Sequence, residues 1–199
     1  MQTEAARTFI LHKLENELLP YLTYHNRAHT ESVFIHAGEL ARASEIGKIE
    51  GEDLDILLTA ALFHDTGFLR TYQGHEEASC VIARESLRDF GYTTEQTEKV
   101  CRLIMATRMP QRPQTHSQEI ICDADLYYLG TGDYGAIAES LYQELLHTGV
   151  CKSREEWAEE QIIFLQTHRY WTATAIERLA KKQQKNLESL THKTDETKR

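Results

Sequence analysis

The chain has 199 residues, which at roughly 100–200 residues per domain makes one domain, or one domain with an appendage. Its 22 basic and 31 acidic residues leave a net charge of −9, which argues against nucleic-acid backbones and anionic membranes as main partners, because both need a basic footprint. Ten glycines and three prolines are too few for a many-turned β-sandwich or barrel, and 41% hydrophobic residues exclude wholesale disorder.

The 3.6-residue period runs through the whole chain. It predicts a first helix over residues 4–19, stopped at Pro20, and a second over 27–46 with Val33, Ala37, Leu40 and Ala41 on one face. Glu52 and Asp53 suit the positive end of a third helix, whose stripe is Leu54, Leu57, Leu58, Ala61 and Leu62 and which Gly67 ends. Residues 66–74 read as a loop and 75–90 as a helix stopped by Gly91. Thr93 or Thr94 caps the next helix, which ends near Thr107. Pro110 and Pro113 make 109–116 a loop. Helices follow over 117–129 and 133–147. Ser153 and Glu156 look like a capping box for a helix to about His168, and a last amphipathic segment covers 171–190. The expectation is an all-α, multi-helix globular fold, with residues 151–199 as a packed helical extension and a polar tail frayed from about 191.

The longest apolar stretch, 57–63, is far short of the ~20 residues that span a bilayer. The first residues lack the pattern of a signal peptide. Cys80, Cys101, Cys122 and Cys151 form no CxxC pair, so four reduced, half-buried thiols in a cytoplasmic protein are expected.

Chemistry is expected where polar residues break apolar faces. His64 and Asp65 end the Leu54 stripe on its buried side, and a buried ionised Asp is costly unless paired or metal-bound. His25 and His29 are i, i+4 and share a face if the helix starts early enough. Asp123 and Asp125 lie about 200° apart around a helix, so one of them can face the same site. Two His with two carboxylates suit one divalent first-row metal: Mn, Fe, Co, Ni or Zn, with Mg admitted but less favoured by imidazole.

His29, then His64-Asp65, then Asp125 resembles the H…HD…D order of the HD-domain metal-dependent phosphohydrolases. The flanks agree: Ala60-Ala61-Leu62-Phe63-His64-Asp65-Thr66-Gly67 and Asp123-Ala124-Asp125-Leu126 with Leu129-Gly130. The resemblance covers roughly residues 20–147 and implies an HD-type metal-binding domain over 1–150. It implies metal ligands His29, His64, Asp65 and Asp125, and it prefers Asp125 to Asp123. The segment Tyr24-His25-Asn26-Arg27-Ala28-His29 also resembles the YHNxxH motif of class I cyclic-nucleotide phosphodiesterases, which would make His25 the general acid. Those enzymes carry another His where this chain has Phe68. His75 and Glu76 are expected beside the metal, positioning water or phosphate. Residues 104–110 contain no His, so a second metal is less expected.

The implied activity is hydrolysis of a small phosphorylated metabolite or nucleotide, mono- or diester, by water that the metal activates and Asp65 helps to orient. Among Arg27, Arg70, Arg108 and Arg112, Arg108 is preferred for gripping phosphate. No nucleic-acid polymer and no membrane is expected as partner, and a homo-oligomer is left open. Competing readings are an HD-type di-iron oxygenase, a non-catalytic nucleotide-sensing HD module and a purely structural helical scaffold. His12, His36, His116, His147 and His192 are read as structural, as is His168 by packing, and Trp157, Trp171 and Phe164 as core anchors.

Overall fold

Side-chain caps open several of the helices. The computed structural model describes residues 1–44 and 47–197. The Asn26 side chain accepts from the backbone N–H groups of Ala28 and His29 and so starts α2 (Arg27–Ala43), satisfying two of the helix's unpaired donors. Thr93 and Gln96 form a full capping box at the start of α5 (Thr94–Ala106). The other helices are α1 (Thr3–Glu17), α3 (Gly51–Phe63), α4 (His75–Ser86), α6 (His116–Asp125), α7 (Tyr134–Thr148), α8 (Arg154–Thr167) and α9 (Ala173–Thr197). Short 3₁₀ turns occupy Thr66–Leu69, Leu87–Phe90 and Tyr127–Gly130. There is no strand among the described residues, so the fold is all-α.

Several boundaries differ from the sequence expectation; the helix expected over 75–90, for instance, ends at Ser86 and tightens into the Leu87–Phe90 turn. The expected end of α2 at Ile46 lies outside the described residues. The helix expected over 117–129 stops at Asp125 and tightens into the Tyr127–Gly130 turn. Helix α9 continues to Thr197, through a segment expected to fray. Lys198 and Arg199 lie outside the described residues.

Contacts group the chain into two compact units. The first comprises Met1–Leu19 and His25–Asp125. At its centre is α3, against which α1, α2, α4, α5 and α6 pack. The one-sided stripe expected for α3 becomes burial on all sides in its last turns, where every residue from Thr59 to Phe63 is buried. Full burial reaches the chain that follows, His64 to Phe68. Thr59 is satisfied within this core, donating to the Asp55 carbonyl at 2.7 Å and meeting the Tyr92 hydroxyl at 2.6 Å.

The second unit comprises Pro20–Tyr24 and Leu126–Arg199. Its core is aromatic: Tyr24, Tyr128, Tyr134, Tyr142 and Trp157 pack with Leu126, Leu129 and Leu165. Tyr24 meets Tyr128 edge-on at 5.6 Å, an arrangement worth about 0.5–1.5 kcal/mol beyond area burial. At Gly130 a Cβ would stand 2.5 Å from the Leu179 side chain, so only glycine lets α9 approach this closely. Trp157 and Phe164 do anchor this core, but Trp171, expected there too, is 42% exposed.

No described helix is long and apolar enough to cross a membrane.

Candidate metal centre

The site is built where α3 stops. His64 follows the last residue of α3 with helical backbone angles, and Asp65 turns the chain into the Thr66–Leu69 3₁₀ helix. Backbone groups freed by such a turn must find partners when buried. The Ser79 hydroxyl of α4 supplies two: it donates to the His64 carbonyl at 2.6 Å and accepts from the Gly67 N–H at 2.7 Å. Thr66 Oγ1 donates to the Phe63 carbonyl at 2.8 Å. Gly67 lies so close to α4 that a Cβ there would stand 1.9 Å from the His75 carbonyl oxygen.

The His64 ring is oriented by its own backbone. Nδ1–H donates to the Ala61 carbonyl at 2.8 Å, which leaves Nε2 with a free lone pair. That Nε2 lies 3.2 Å from Nε2 of His29 on α2. Oδ2 of Asp65 stands 3.1 Å from His64 Nε2 and 3.3 Å from His29 Nε2. Oδ1 of Asp125, at the end of α6, stands 3.3 Å from His29 Nε2 and 3.5 Å from His64 Nε2. The donors of His29, His64 and Asp125 all lie within 4.8 Å of one another. Asp125, not Asp123, supplies the carboxylate of this set.

These donors fit a divalent ion. Atoms about 2.1 Å from one metal stand about 3.0 Å apart at right angles and about 3.4 Å apart at the tetrahedral angle. The observed separations of 3.1 to 3.5 Å match the edges of such a polyhedron. Asp65 Oδ2 is buried yet has no hydrogen-bond partner, although two imidazoles flank it. A buried carboxylate oxygen left in that state is costly, and a shared cation removes the cost.

The protonation equilibria point the same way. Burial alone would push both carboxyls up and both imidazoles down. The imidazoles overcome this and hold Asp65 well below the usual carboxylate range, and Asp125 down to about 2. The carboxylates in turn hold His64 well above 6.5 and raise His29. Without an ion, the cluster stays anionic at its acids and draws protons onto its imidazoles.

Around this set lies an aromatic shelf. Phe68 stacks on His25 and on His75, each at a centroid distance of 4.2 Å. His25 precedes the Asn26 cap, so it reaches the site from outside α2 and not as the helical i, i+4 partner of His29; the two rings meet edge-on at 6.1 Å. His75 Nε2 lies 3.5 Å from Asp65 Oδ1 and 3.5 Å from Glu76 Oε1. Phe68 and Gln111, whose Nε2 donates to Asp125 Oδ2 at 3.4 Å, were not among the residues singled out as part of the site by sequence. Phe68 sits four residues after His64, in the place where a phosphodiesterase-like motif would put a further His, and that spacing is the one signal that could have found it.

Arg108 is ion-paired with Glu77 on an exposed surface, as Arg70 is with Glu85 and Arg27 with Glu15 and Glu31. His168 packs between Phe164 and Tyr170. His36, His116 and His147 meet Glu39, Ser44 with Glu119, and Tyr21, in line with structural roles.

The HD domain family model matches residues 27–128, about half of the chain. The chain belongs to the HD domain family. This HD domain therefore stands in a superfamily of metal-dependent hydrolases, typically phosphohydrolases, and the family implies a divalent ion. The match contains His29, His64, Asp65, His75, Glu76, Arg108 and Asp125, and it starts after His25. No curated protein and no solved structure matched.

Proposed function

We propose that the chain is a phosphohydrolase that uses one divalent ion, held by His29, His64, Asp65 and Asp125, to cleave the phosphate ester of a small metabolite or nucleotide. The observation that carries this reading is the approach of the His29 and His64 Nε2 atoms to oxygens of Asp65 and Asp125 at 3.1 to 3.5 Å, with the buried Asp65 Oδ2 lacking any hydrogen bond. A divalent ion of the Mn, Fe, Co, Ni or Zn kind, or Mg, supplies Lewis acidity, which makes water a better nucleophile and polarises a phosphoryl oxygen.

The rest belongs to the side chains. Asp65 presents Oδ1 away from the shared donors, toward His75. It accepts a hydrogen bond from the attacking water and aligns it. His75, braced by Glu76 and by its stack on Phe68, positions that water or a phosphate oxygen. His25, on the same ring, donates the proton that the leaving oxygen needs. The net charge of −9 disfavours a long polyanion, so the phosphate is that of a small molecule.

The test is elemental analysis of protein purified without chelator, beside phosphate release from mono- and diester nucleotides with Mn, Co, Ni, Fe and Mg. About one metal per chain and turnover that disappears in Asp65→Ala supports the proposal. Two irons and no hydrolysis would transfer the chain to the oxygenases. A metal-free, inactive protein that binds nucleotides would make it a sensing module.

A further inference from the structure

Away from the metal centre, α4 and α5 bring two thiols together. Cys80 Sγ lies 3.6 Å from the Cys101 carbonyl oxygen, and Cys101 Sγ lies 3.7 Å from the Cys80 carbonyl oxygen. Both cysteines are free and each is 3% exposed. Both also line a cavity of about 580 Å³, together with Val81, Met105, Arg102 and Arg112. A small solute can therefore reach a pair of sulfurs that a macromolecule cannot.

We propose that Cys80 and Cys101 are a redox-active dithiol, which hydrogen peroxide entering this cavity converts to a disulfide between α4 and α5. The surroundings divide the roles. The neighbouring Cys80 thiol, with the charges of Arg84 and Arg102, holds the Cys101 thiol below its usual range against the pull of burial. Cys80 is pushed up by the proximity of Cys101 and by burial. Cys101 is the nucleophile, since the thiolate is the reactive form, and Cys80 resolves. The Cys101 thiolate attacks one peroxide oxygen, the O–O bond breaks, hydroxide leaves, and Cys101 becomes a sulfenic acid. The Cys80 sulfur attacks the Cys101 sulfur, the S–O bond breaks, and the leaving hydroxide takes up the Cys80 proton as water. Counting the proton first lost by Cys101, two thiols and one peroxide give one disulfide and two waters. The sulfurs lose two electrons and the peroxide gains them.

Cys122 and Cys151 make the contrast, since neither lines this cavity; burial pushes the Cys122 thiol up.

The test treats the full chain with hydrogen peroxide in the presence of chelator, so it stands apart from the metal reading. Thiol titration should fall from four per chain to two, with a mass loss of ~2 Da that dithiothreitol reverses. Non-reducing peptide mapping should join the peptides of Cys80 and Cys101. In Cys80→Ser, Cys101 should stop as a sulfenic acid that dimedone traps, while in Cys101→Ser, Cys80 should stay reduced. Four thiols left intact, a bridge to Cys122 or Cys151, or wild-type Cys101 oxidised beyond the sulfenic acid with Cys80 still free would each overturn the proposal.

Discussion

Each unit of the chain buries acidic side chains, and it does so to opposite ends. In the second unit Glu144 is fully buried and accepts the Tyr24 N–H at 3.0 Å. Its charge is spent on holding backbone. In the first unit Asp65 is nearly as buried, yet one oxygen faces two imidazoles without a hydrogen bond. Burial of an acid therefore does not mark a site. What marks this one is an acid with an unpartnered oxygen whose neighbours, His29 and His64, carry metal-ligating atoms at 3.3 and 3.1 Å.

Isosteric amides break this comparison most sharply. Asp65→Asn keeps the volume and removes the anion. Metal content should fall and phosphate release should drop more than about 100-fold, since even supporting residues of metal sites cost 10–100-fold. Glu144→Gln, which keeps an oxygen for Tyr24, should leave both metal and turnover unchanged; equal loss in the two variants would erase the distinction. Glu144→Ala leaves the Tyr24 N–H without this partner. Its cost should be about 1–3 kcal/mol in a urea titration, again with metal content intact.

Acidity sharpens the contrast further. In chelator-treated protein the raised imidazoles of His29 and His64 add stability below their unfolded value of 6.5, which is lost as pH rises through their higher folded values. The lowered carboxyls of Asp65 and Asp125 add stability above 3.8, which is lost as pH falls through their depressed folded values. The melting temperature should therefore be highest between about pH 4 and 6.5 and fall on the alkaline side, and Mn or Zn should abolish the alkaline fall. A flat profile without metal would mean that the four groups do not share their charge.

Smaller effects should follow at the edges. Phe68→Leu removes the ring under His25 and His75 but touches no donor atom; kcat should fall about tenfold, roughly 1.4 kcal/mol, at unchanged metal content. Arg154, whose Nη2 donates to Glu139 at 2.9 Å on an exposed face and which lies over the Tyr142 ring, should cost no more than about 1 kcal/mol as Arg154→Ala.

The helices are legible in the sequence because period and caps are local: Asn26, the residue before the expected start of α2, is its cap, and of the two candidates Thr93 and Thr94 the structure takes Thr93. The donors were legible because His64 and Asp65 interrupt an apolar face, where a polar residue needs a reason. Phe68 was not, because an aromatic ring reads as core until the rings it stacks on are known. Arg108 stands out in the sequence by its place at a helix end, whereas its pairing with Glu77 depends on α4 arriving beside it. Apolar periodicity survives the change from α to 3₁₀ spacing after Asp125, so the sequence alone predicts one helix over 117–129.

Gly67 bears on anyone who would redesign this molecule. The peptide after the His-Asp pair touches the start of α4 so closely that a single methyl group has nowhere to go. That wall cannot be moved by enlarging a residue, and there is no residue to trim. A library meant to alter which substrates are accepted should leave positions 64–67 and 75–79 untouched. It should draw its diversity from segment 108–115, from which Gln111 reaches Asp125.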